Sequence, residues 1–380
     1  MAKVVRVPIT NVYMGGDYTG RIYVGPTHTP LNVILDTGSS ALAVDGKKYK
    51  PTLAGTGADK ATKLAQTDAY GDGSTWTGAV LGSTVTIGDG AQSVPLPGAN
   101  VSVAYTASSS MFQGADGIMG LAYAPLDDAF RMPRNTWATH YTSTQVRTGN
   151  QTLLTPYLTQ LAQEDITSDI ISFYTLRSFT HIGGPSDDPL NSGWMIIGGG
   201  EESTDLYTGK FQSVKVVSDD WYSTNLKSII VGNSSPIAAR THGPQGAPSN
   251  SIVDSGTNSL DVSRQMFDAI ASKLTSGQRQ LLRASVRDEQ LVSVSDLKLA
   301  SWPTLTFVLE GDDGSDVKLK VAPTDYWQVN TEEVGAAAAA ITIGEPGFNI
   351  LGLPLMNGYF TIFDGEAAGG KGVIRFARRK

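Results

Sequence analysis

Apolar positions along this chain come in short runs, with few long helical faces. GRIYVG (20–25), LNVILD (31–36), TVTIG (84–88), ISFYTL (171–176), WMIIGG (194–199), SIIVG (228–232), TLTFVLE (304–310) and YFTIFD (359–364) are rich in β-branched and aromatic residues. Turn residues separate them, so each reads as a strand. Helical periodicity is confined to 153–163, 263–274 and 278–285, the second with Ser263 as its cap. Ala336–Ala340 reads as a loop or a short helical turn, and Arg375, Arg378, Arg379 and Lys380 as a solvated tail. Gly198–Gly200 follow a strand and lack the Lys-Ser/Thr of a phosphate loop. The chain is predicted to be mostly β.

The same pattern occurs twice. VILDTGSSALAV (33–44) aligns without a gap on SIVDSGTNSLDV (251–262), so that Asp36-Thr37-Gly38-Ser39 falls on Asp254-Ser255-Gly256-Thr257. Each copy is followed, in order, by an apolar-apolar-Gly segment: Ile118-Met119-Gly120 after the first and Ile350-Leu351-Gly352 after the second. A single D-[ST]-G-[ST] string is an ordinary turn, but two copies, each with its matching partner, imply two similar lobes. The Gly/Pro/Asp stretch 181–193 fits their junction, giving lobes 1–182 and 183–380.

Composition narrows the chemistry. The 380 residues hold 29 Lys and Arg against 36 Asp and Glu, a net charge of −7, with no basic stripe for nucleic acid. Cysteine is absent and the four histidines are scattered, which leaves no thiolate chemistry and no metal site at recognisable spacing; no cofactor is expected. No apolar run is long enough to span a bilayer, and the N-terminus lacks a signal-peptide core. The expected location is cytoplasmic if residue 1 is the native start, and secreted or periplasmic if a leader precedes it.

What remains is a pair of carboxylates. Two aspartates held close together in a shielded site cannot both ionise easily, so one keeps its proton and the other acts as base. A water between them can be delivered to a carbonyl polarised by the protonated partner, without a metal or covalent intermediate. Gly38 and Gly256 leave the carboxylates uncovered, Ser39 and Thr257 can bond and orient them, and Thr37 and Ser255 can lock the two loops together.

These strings resemble the pepsin-like aspartic peptidases over nearly the whole chain: VILDTGSS, YGDGS at 70–74, DGIMGLAY at 116–123, SIVDSGT, and ILGLPLMNGYFTIFD at 350–364. The resemblance implies two β-barrel-like lobes about a pseudo-two-fold axis, with a cleft and a hairpin flap. Asp36 and Asp254 would be the catalytic pair of an aspartic endopeptidase, a group that is itself the standard case of coupled carboxylates. Tyr70 would be the flap tyrosine. Gly71 and Asp72 in the flap, with Gly38 and Gly256 below, would hold an extended peptide by its backbone. The implied protein is a monomer, sensitive to pepstatin-type inhibitors, with peptide or protein substrates and no nucleic-acid or membrane partner. The alternative is a catalytically inactive binding or inhibitor protein on the same fold.

Several positions depart from the family. Ala43 replaces the tryptophan that bonds the flap tyrosine, which makes Trp76 the candidate substitute. Leu353 replaces an aspartate after the second apolar-apolar-Gly. Ala115 replaces a phenylalanine and, with Asp72, suggests a roomy pocket for large or basic side chains. With 29 Lys and Arg, full protonation of the carboxylates would leave strong self-repulsion, so a mildly acidic optimum of about pH 4–6 is expected. Only 35 residues precede Asp36, about what the family's first strands need, so the resemblance leads us to expect no prosegment in this sequence, in the style of bacterial pepsin homologues.

Overall fold

A computed structural model describes residues 2–13, 16–112, 114–185 and 187–380. All the short apolar runs named above fall in or overlap strands, and the three helical segments become Tyr157–Gln163, Arg264–Ser272 and Ser276–Arg287. The Ser263 cap is present, its hydroxyl accepting from Met266 N–H at 3.3 Å.

The chain forms two compact units. One comprises residues up to Ile9, Tyr18–Asp169 and Met195–Gly199; the other comprises Thr10–Asp17, Ile170–Trp194 and Gly200–Lys380. The main crossing thus comes after Asp169, earlier than the 182/183 junction read from the glycine- and proline-rich stretch. The reason is strand pairing: Ile170–Tyr174 runs antiparallel to Tyr359–Asp364, from Ile170↔Asp364 to Tyr174↔Phe360.

In the first unit, β1 (Thr29–Asp36), β2 (Leu42–Asp45), β3 (Lys60–Ala69), β4 (Thr75–Ile87), β5 (Val94–Ala107) and β6 (Gly117–Gly120) build the frame of the site. β1 runs parallel to β6 with Leu35 opposite Met119. β6 runs antiparallel to β2 with Leu42 opposite Met119, and β2 runs parallel to β5. Val33, Leu35, Val44 and Met119 are completely buried here, and burial of such side chains contributes about 1.5–3 kcal/mol each.

The second unit repeats this order. β7 (Ser251–Val253) is parallel to β10 (Asn349–Leu351), with Val253 opposite Leu351. β10 is antiparallel to β8 (Leu260–Ser263), with Leu260 opposite Leu351, and β8 is parallel to β9 (Ile341–Gly344). The sequence repeat is therefore a repeat of strand order and direction.

Three expectations fail. Ala336–Ala339 is a strand, paired with Trp327–Val329; methyl-sized side chains fit where Ala337 is fully buried, and Ser285 of the overlying helix accepts from Ala339 N–H. The basic C-terminus is not a loose tail. Val373–Arg379 is a strand between Tyr207–Lys215 and Tyr359–Asp364. Arg375 pairs with Glu201 and Asp364, and Arg378 lies 4.9 Å from the Tyr359 ring centroid. Met195–Gly199, inside the stretch 183–380 read above as the second lobe, group with the first unit, while Ser192–Trp194 at the start of the same strand group with the second.

Candidate active site

Each aspartate stands at or just past the end of its strand, at the head of a tight loop. Asp36 is the last residue of β1 and is only 5% exposed. Gly38 N–H donates to its Oδ1 at 2.8 Å, and the Ser39 hydroxyl donates to Oδ2. In the second unit Asp254, 6% exposed, accepts from Gly256 N–H at 2.9 Å and from the Thr257 hydroxyl at 2.6 Å. A buried carboxylate is costly unless hydrogen-bonded, and each loop supplies its own two donors at the same two offsets. Thr37 and Ser255 are buried beside them.

The apolar-apolar-Gly segments anchor these loops from below. Leu121 N–H donates to Asp36 O and Ala122 N–H to Ser39 O, both at 2.8 Å. In the second copy Leu353 N–H donates to Thr257 O at 2.8 Å, and Asp254 N–H to Leu351 O at 3.2 Å. The glycines are required by this closeness. A Cβ on Gly120 would lie 2.4 Å from Ser40 N, and one on Gly352 would lie 2.2 Å from Thr257 O. Leu353, where the family commonly has aspartate, is fully buried and starts the short helix Leu353–Met356; burial accounts for the apolar choice.

β3 and β4 form an antiparallel hairpin, with Tyr70–Ser74, the stretch read above as the flap, at its tip. Tyr70 N–H donates to Ser74 O and Gly73 N–H to Tyr70 O, both at 2.9 Å. Gly73 has φ +82°, a conformation glycine adopts without strain. Asp72 Oδ1 accepts from Ser74 N–H at 2.8 Å, so this side chain serves the turn, while Gly71 is exposed. Trp76, buried within β4, donates its indole N–H to the Tyr70 hydroxyl at 3.2 Å. It fills the bonding role that Ala43, buried in β2, lacks a ring to perform. Burial first, then the Asp68 and Asp36 carboxylates, holds the Tyr70 phenol well above its ordinary value, with bonds to Trp76 and Ser39 opposing. Tyr70 is thus a neutral hydroxyl that accepts from Trp76.

The sequence reading missed why the second glycines matter, because the loop they lie under is distant in the chain. Among the described residues no group of three or more His, Cys, Asp or Glu is placed to hold a metal, and no helix is long and apolar enough to cross a membrane.

Comparison with known proteins agrees with this geometry. The family profile described as eukaryotic aspartyl protease matches residues 17–371. Gastricsin from Mus musculus is 26% identical over 371 residues, covering 93% of this chain and 79% of the relative. Gastricsin from Cavia porcellus is 27% identical over 372 residues, covering 93% and 78%, and that from Homo sapiens 25% over 377, covering 93% and 80%. The repeated aspartate loops, the flap and these matches together place the chain in the eukaryotic aspartyl protease family, as a pepsin-like aspartic endopeptidase.

Proposed function

We propose that Asp36 and Asp254 act as one catalytic pair that activates a single water against the peptide bonds of extended polypeptides. The observation that carries this assignment is the equivalence of the two loops: each carboxylate is fixed by a glycine N–H two residues on and a hydroxyl three residues on. Fixed in this way, one oxygen of each carboxylate is committed to its own loop's hydroxyl, and the mechanism assigns the other to the water.

In the reaction, the ionised aspartate takes a proton from the water as its oxygen bonds to the scissile carbonyl carbon. The protonated aspartate gives its proton to the carbonyl oxygen. The tetrahedral diol then collapses: the C–N bond breaks, the amine nitrogen takes a proton from one carboxyl group, and a diol hydroxyl returns one to the other. Tyr70, Gly71 and Asp72 in the flap, with Gly38 and Gly256, hold the substrate backbone as an added strand, and Thr37 and Ser255 brace the loops. The protein works as a monomer at an optimum of about pH 4–6 and is blocked by pepstatin-type inhibitors.

Asp36→Asn and Asp254→Asn are each expected to lower turnover at least about a thousandfold while the variants still bind pepstatin measurably. Turnover retained in either variant would remove that residue from the pair. An intact wild-type fold with no cleavage at any pH would favour a binding protein instead.

A further inference from the structure

The first unit carries a pocket that the reaction above does not use. Its volume is about 320 Å³, at the lower end of small-ligand sites and enough for one ring system with an attached charged group. Part of its wall is aromatic. Tyr105 stacks on His140 with centroids 4.4 Å apart and planes 11° apart, and Trp137 meets His140 edge-on at 5.5 Å. The stack is held in place: Tyr105 donates to Tyr141 O at 2.8 Å. His140 takes a left-handed conformation, φ +48°, where the helical turn Thr136–Thr139 ends.

The rim is cationic. Lys47, Lys48 and Lys50 all line the pocket, in a chain whose net charge is −7. The one lining carboxylate, Asp45, accepts from Lys47 N–H at 2.9 Å. Lys50 bonds Gly46 O and Lys48 lies 3.7 Å from Asp116. The Lys47 ammonium has no partner among the described residues and is exposed.

The pocket also touches the flap. Ser108 and Ser109 line it; Ser108 N–H donates to Thr75 O at 2.8 Å and its hydroxyl accepts from Thr75 N–H at 3.0 Å. Thr75 begins β4, next to Trp76. Phe112 and Ala115 line it too, so the space opened by alanine at 115 belongs to a cavity with a lysine rim.

We propose that this pocket binds an anionic group carried on a planar ring, the ring against Tyr105, His140 and Trp137 and the charge at Lys47 and Lys48. Such a group comes either from a phosphorylated or sulfated tyrosine of a bound peptide or from a free aryl anion. This preference is opposite to the basic side chain that Ala115 and Asp72 suggest from the sequence.

The test uses Asp254→Asn protein, so that binding is read without turnover and its failure leaves the catalytic assignment untouched. Naphthalene-2-sulfonate is titrated by calorimetry beside neutral 2-naphthylmethanol. The sulfonate should bind saturably, and Lys47→Glu/Lys48→Glu should weaken it at least about tenfold while leaving the alcohol unchanged. Trp137→Ala should weaken both. Absence of saturable sulfonate binding, equal affinity in the double lysine variant, or equal binding of the alcohol overturns the proposal. In wild-type enzyme, competitive inhibition of peptide cleavage by the sulfonate identifies a substrate side-chain site. Binding without competition identifies a free-ligand site.

Discussion

Ser39 and Thr257 do the same work on different hydroxyl scaffolds. Each donates to the Oδ2 of the aspartate three residues before it, and hydrogen bonds to charged groups are worth about 1.5–3 kcal/mol. Thr257→Ala should therefore reduce kcat/KM roughly 10–100-fold and move the acid limb of the pH–rate profile upward, since the ionised carboxylate loses a donor. Thr257→Ser should restore both. A profile unmoved by Thr257→Ala would show that the hydroxyl is merely structural. Trp76→Phe keeps the buried ring and removes the indole donor to Tyr70. A loss of kcat/KM of about fivefold, corresponding to about 1 kcal/mol, is expected with melting temperature preserved, and unchanged kinetics would remove Trp76 from flap positioning. The aspartates, their supporting hydroxyls and Trp76 were all legible in the sequence, because their chemistry is local to one motif or one hairpin. The Tyr105–His140–Trp137 wall was not, since three separate aromatics at 105, 137 and 140 carry no pattern until the chain folds.

At the scale of elements, the paired glycines set how closely one strand passes beneath an aspartate-bearing loop. Gly120→Ala puts a methyl 2.4 Å from Ser40 N, and backbone cannot yield as a flexible side chain can. The loop should shift, with destabilisation of about 1–3 kcal/mol and turnover falling further than stability alone explains. Denaturant unfolding beside single-turnover kinetics separates the two, and a variant as stable and active as wild type would contradict this account of the glycine. Strand existence was largely readable from β-branched runs, whereas strand partnership was not. The basic C-terminal residues read as a tail because charge dominates their composition. In the fold Arg375 is neutralised by Glu201 and Asp364 while alternate positions such as Ile374 and Phe376 are buried. Ala336–Ala339 misled for the complementary reason: alanine favours helix intrinsically, yet pairing with Trp327–Val329 overrides propensity.

The molecule as a whole carries buried carboxyls that prefer to stay protonated. Asp127, bonded to Gln66 at 2.7 Å, is pushed up to about 7 by burial. Asp261 is pushed up to about 6 by burial and then by Glu345. Over the interval between the ordinary carboxylate value of about 4 and these raised values, the native state holds protons that the unfolded chain has lost. Stability therefore falls as pH rises through that interval. Melting temperature should drop between about pH 4 and pH 7, and Asp127→Asn should flatten part of that fall, worth on the order of 3 kcal/mol at neutral pH. Equal slopes in wild type and variant would exclude Asp127 as a source. Such a fold suits work in mild acid, as the proposed pair of Asp36 and Asp254 sharing one proton would. The most direct test of that pair is digestion of a mixed peptide pool across the acid range by wild type, Asp36→Asn and Asp254→Asn, each with and without pepstatin. The account predicts wild-type cleavage that pepstatin abolishes and that neither variant reproduces. Cleavage that persists in a folded variant, or that ignores pepstatin, would contradict it.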